Sequence, residues 1–159
     1  MPKRKQVTKE TQRKMFNVLE IESTTGSFEE FEQTVLAKKS QVLFNRLCKE
    51  ISDYSPESDM SYMSIWTSQI LRSASNLDTN LAEGYGRSGK SYRLHFIRIS
   101  RGLAFATLRN LRTSPIEIPD ELKTGYRELC KLLTEEIKSL CQKVVYDLED
   151  SESSFGFPN

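Results

Sequence analysis

Apolar positions recur at helical intervals in four stretches of this 159-residue chain, and the alternation of β-branched with polar residues that marks a strand is missing throughout. An all-α fold is the expectation. The first helix is predicted to open at Ser27, an N-cap residue with Glu30 three positions on in capping-box position, and to run to about Tyr54. Phe31, Val35, Val42, Leu43, Leu47 and Ile51 are its apolar positions, and Ser55 with Pro56 breaks it. A second helix begins near Asp59, carries Tyr62, Ile65, Trp66, Ile70, Leu77 and Leu81, and stops at Gly84-Tyr85-Gly86, where two glycines suit a left-handed C-cap. The third spans about Ser88 to Thr113. Pro115 and Pro119 stiffen the next connection, and Pro119-Asp120-Glu121 places proline and acids where a helix N-terminus favours them, so a fourth helix runs from there to about Leu148. Four helices of about 25 residues on short connections pack most simply as an antiparallel up-down-up-down four-helix bundle.

The expected organisation is therefore a single bundle over residues 27–148, preceded by a basic extension over 1–26 and followed by an acidic flexible tail over 149–159. The extension holds an apolar cluster, Met15, Phe16, Val18, Leu19 and Ile21, read as a short docking helix or strand behind a mobile basic start.

Within the third helix the apolar residues divide between two directions. Tyr92, Phe96, Ile99, Leu103 and Ala106 share one arc and are expected to face the core. Leu94, Ile97, Phe105 and Leu108 lie on another side, where a lone monomer would expose them, and they are expected at an oligomer interface. Gly102 and Ala104 would let another helix approach.

Charge changes the picture most in the same region. Formal net charge is +1, so any electrostatic argument concerns where charges sit. Between Gly84 and Glu117 stand Arg87, Lys90, Arg93, Arg98, Arg101, Arg109 and Arg112, with no carboxylate among them. Arg87, Arg98 and Arg109 are eleven residues apart, as are Lys90, Arg101 and Arg112. Eleven residues is close to three helical turns, so both series fall in a stripe about 100° wide, suited to the phosphates of a polyanion.

Other candidate chemistry is thin. Cys48, Cys130 and Cys141 have no metal or redox spacing and fit reduced core thiols of a cytoplasmic protein. No apolar stretch long enough for a signal peptide or a membrane span is present, and neither a metal nor a cofactor is implied. The string from Gly84 through Gly89-Lys90-Ser91 formally matches a phosphate-binding loop, but it follows a predicted helix rather than a strand, so an interhelical turn is the expectation. His95 is read as a polar surface or interface residue. Asn80 is expected to bond backbone near the helix end, and Glu83 to accept from Arg87 or Arg72, both structural roles with no catalytic partner.

The stretch Ser68-Gln69-Ile70-Leu71-Arg72-Ser73-Ala74, with Thr79-Asn80-Leu81-Ala82-Glu83-Gly84-Tyr85-Gly86-Arg87, resembles the signature of a bacterial four-helix-bundle family. That family includes proteins encoded in intervening sequences of large-subunit ribosomal RNA genes and the accessory variability determinant of diversity-generating retroelements. The resemblance spans about Phe31 to Val145 and is most specific at Asn80, Glu83 and Gly84. It departs at Leu77-Asp78-Thr79, where the family commonly has isoleucine, proline and serine. The resemblance implies a homopentameric barrel of bundles, a basic surface for RNA or DNA and, in the retroelement branch, a reverse transcriptase partner. Two functions follow as expectations: a non-enzymatic nucleic-acid-binding accessory protein whose phosphate contacts are the stripe, or an interaction scaffold whose arginines pair with acids of neighbouring subunits such as Glu29, Glu30 and Glu32.

Overall fold

The computed structural model describes residues 28–53, 60–87 and 89–154. The predicted N-cap Ser27, the 1–26 extension, the Ser55-Pro56 break and the last five residues lie outside them. Among the described residues every regular element is a helix: α1 (Phe28–Gln33), α2 (Val35–Asp53), α3 (Met60–Gly86), α4 (Lys90–Thr113) and α5 (Asp120–Ser154).

The single helix expected over 27–54 is interrupted at Thr34. Its side-chain Oγ1 accepts a hydrogen bond from the Ala37 N–H at 3.2 Å, which makes Thr34 the N-cap of α2, while its own N–H donates to the Phe31 carbonyl at 2.9 Å. α1 is then free to bend, and buried Phe31 packs on the Tyr85 ring with centroids 5.2 Å apart. At the other end, α5 continues to Ser154, past the predicted stop at Leu148 and through the first residues assigned to the acidic tail.

The four longer helices touch in a closed cycle, α2 with α3, α3 with α4, α4 with α5 and α5 with α2, and α1 leans on α2 and α3. Adjacent helices in the cycle run in opposite directions where side chains fix the register. Thr107 meets Ser73 and Ser100 meets Leu77 across α4 and α3, while Lys39 meets Glu128 and Leu43 meets Gly125 across α2 and α5. The core between them is built mainly from leucine and isoleucine, with Leu47, Ile70, Leu81, Ile97, Leu122, Leu129 and Leu133 fully buried. Ile116 and Ile118, in the proline-bounded connection, close one end.

The turn between α3 and α4 departs from expectation in a way that places the candidate site. Gly84 and Gly86 are helical rather than capping, and the positive-φ glycine among the described residues is Gly89, at φ 100° immediately before α4. Gly84 is needed for closeness instead. A Cβ there would stand 2.9 Å from Phe96 Cβ, so hydrogen at this position lets α4 approach the end of α3.

Candidate nucleic-acid interface

α4 presents to the core the arc that its sequence pattern assigned to an oligomer interface. Leu94, Ile97 and Leu108 are buried, at 9%, 0% and 7% exposure, together with Ala104 and Leu111. Tyr92, at 57%, Ile99 and Ala106 face outward instead, with Phe96 and Leu103 half-buried. The outer arc carries apolar residues at alternating intervals of four and three without a break, whereas the core arc skips from Ile97 to Ala104, so periodicity alone favours the outer one. Two features hid the true core line. Arg101 interrupts it, and its flank is made of small hydroxyl residues, Ser100 and Thr107, whose bonds to α3 satisfy their polarity: Thr107 Oγ1 lies 2.9 Å from Ser73 Oγ, and Ser100 Oγ donates to the Leu77 carbonyl at 3.3 Å. These residues let α3 and α4 pack where a bulky aromatic would hold them apart.

The seven cations fall into different environments. Arg93, placed by its sequence position in the phosphate-contacting stripe, turns inward. Its Nη2 donates to Glu136 Oε1 at 2.7 Å and to the Tyr85 hydroxyl, and its guanidinium lies 3.8 Å from the Tyr85 ring centroid. It thus joins α3, α4 and α5, a structural engagement that its place in the stripe did not announce. Burial raises the Tyr85 phenol pKa, and the adjacent Arg93 charge opposes that rise. Arg87, at the bend after α3, donates from Nε to Glu83 Oε1 and covers the Phe96 ring at 5.2 Å. Lys90 is exposed in the first turn of α4, and Arg101 is half-buried beside Cys130, whose thiol burial pushes up and Arg101 pulls down.

Arg98, Arg109 and Arg112 remain exposed, and none of them forms an ion pair among the described residues. Arg98 reaches toward α5, with Nη2 3.5 Å from Cys141 Sγ. Phe105 sits in their midst. Of the four residues expected at a subunit interface it alone is exposed, at 54%, and it has arginines at i−7, i−4, i+4 and i+7: Arg98, Arg101, Arg109 and Arg112. Across from it on α5 are Arg127 and Lys131, both exposed, which line a groove of about 290 Å³ with Phe105, Leu108, Cys130 and Thr134. Sequence inspection missed these two cations because α5 as a whole carries more acids than bases. Their four-residue spacing on the flank of Cys130 was the available signal.

The signature residues have structural surroundings. Asn80 Nδ2 donates to the Asn76 carbonyl at 2.7 Å, within α3, and Glu83 accepts from Arg87. The Gly84 to Ser91 string takes in the last residues of α3 and the first of α4, with no strand before it, and His95 is exposed with its ring edge-on to Phe96. Among the described residues no three His, Cys, Asp or Glu side chains converge as metal ligands, and no helix is long and apolar enough to cross a membrane. The chain matches no family model, no curated protein and no solved structure.

Proposed function

We propose that the protein is a non-enzymatic nucleic-acid-binding accessory protein whose contact surface is the outer face of α4 and the adjoining edge of α5. The observation that carries this is the set of exposed cations that form no ion pair among the described residues, Arg98, Arg109 and Arg112 on α4 with Arg127 and Lys131 on α5, gathered around an exposed aromatic ring in a chain of net charge +1. A solvated helix face usually mixes both signs; here five cations stand against Glu135 at the groove edge, an excess that suits phosphate. Lys90 and half-buried Arg101 border it, while Arg87 and Arg93 support it from within.

The cycle of contacts among α2, α3, α4 and α5 supports a four-helix bundle as the unit. A homo-oligomer is favoured by the outward apolar strip of Tyr92, Ile99 and Ala106; the family resemblance argues for a pentamer and a reverse transcriptase partner, and cysteines without metal or redox spacing argue for a cytoplasmic setting.

The test is binding of the purified chain to a labelled structured RNA and to a duplex DNA, beside an Arg98→Glu, Arg109→Glu variant whose solution mass is measured in parallel. Binding by the parent that the variant loses at unchanged mass supports the proposal. A variant that binds as the parent does refutes this surface, and a variant of reduced mass assigns the arginines to subunit assembly.

A further inference from the structure

Resting on that function, we infer that the α4–α5 surface takes single-stranded nucleic acid, with Phe105 as a platform on which an unpaired base stacks. The surface is organised around a ring rather than as a bare cationic strip. Phe105 is exposed, and Arg98 and Arg112 stand two helical turns to either side of it, with Arg101 and Arg109 one turn away. At 1.5 Å per residue the line from Arg98 to Arg112 is about 21 Å long, enough for several nucleotides. Arg127 and Lys131 line the groove that Phe105 borders, so a strand following the α4 arginines past the ring has a second row of cations beside it.

A duplex makes poor use of this arrangement. Its bases are stacked on one another inside two phosphate rails, and a phenylalanine side chain bordering the groove meets sugar and phosphate, which gain nothing from an apolar ring. An unpaired base gains a π-face contact, and the contact tolerates any base. Glu135 at the groove edge is held by Lys138 Nζ at 2.9 Å, which offsets the one carboxylate facing the path.

The test uses the full chain with an unstructured oligouridine and with an RNA duplex of equal length. Because Phe105 is exposed, Phe105→Ala is expected to fold with the parent's helicity and mass. Phe105→Ala should weaken oligouridine binding about five- to a hundredfold while leaving the duplex affinity in place, and Phe105→Tyr should restore it. Unchanged oligouridine binding by Phe105→Ala, with Arg98→Glu, Arg109→Glu still defective, overturns the stacking platform and leaves the nucleic-acid surface standing. A fall in solution mass on Phe105→Ala overturns it by making the ring a subunit contact. Failure of the parent to bind either RNA at low salt overturns both this inference and the function beneath it.

Discussion

At Gly84 a Cβ would stand 2.9 Å from Phe96 Cβ, whereas at Gly102 it would meet nothing within 4 Å. Both glycines are helical, so propensity favours alanine at each, and only packing distinguishes them. Gly84→Ala should destabilise the protein by about 1–3 kcal/mol, because neither backbone nor a Cβ can yield cheaply. Gly102→Ala should raise stability by about 0.5–1 kcal/mol. Urea unfolding of the two variants checks the contrast. Burial also drives the Tyr126 phenol well above its ordinary pKa of 10.0, with Cys48 and Asp78 pushing the same way, and burial raises Tyr85 as well. A phenol whose folded pKa lies above its unfolded one contributes stability that is complete below the unfolded value and is lost as pH climbs beyond it. The urea midpoint should therefore fall above about pH 10, and fall less in Tyr126→Phe. Among individual residues, the Glu83–Arg87 pairing was open to inspection of the sequence, whereas Gly84, read there as a cap, serves close packing instead. The left-handed Gly89 and the inward turn of Arg93 were not legible there, because each depends on partners brought in from other helices.

The helices themselves followed from periodicity and punctuation, with the fourth predicted helix starting where Pro119, Asp120 and Glu121 place it. Thr34 escaped notice because Phe31, Val35 and Val42 continue a helical period across it, and a capping threonine leaves no mark on that period. Orientation was harder than existence. α4 carries two apolar arcs, and the unbroken one turns out to lie toward solvent, while Arg101, Ser100 and Thr107 disguised the one that faces the core. Truncation separates the arcs by experiment. Ile97→Ala removes a fully buried side chain and should cost about 2–5 kcal/mol. Ile99→Ala, on the outer arc, should cost no more than about 1 kcal/mol in the same assay. Equal costs, or the reverse order, would contradict the orientation of α4.

For the whole molecule, 23 cationic and 22 acidic side chains nearly cancel, and what distinguishes the chain is their segregation. Acids of α5 are drawn into pairs such as Glu128 with Lys39 of α2, at 2.6 Å, which also lowers the Glu128 carboxyl pKa through the lysine's hydrogen bond and charge. The outer face of α4 has no such partners at Arg98, Arg109 and Arg112, and α5 adds Arg127 and Lys131 beside them. Half of that surface was visible as the stripe in the sequence. The other half required the groove between two helices, which no one-dimensional pattern displays. The measurement that bears most directly on the account is the affinity of the parent chain for single-stranded RNA across a salt series. Five phosphate contacts predict that log K falls against log salt with a slope of about −3.5, reduced in magnitude by at least 1 in Arg98→Glu, Arg109→Glu. A parent affinity indifferent to salt, or no binding at the lowest salt, would contradict it.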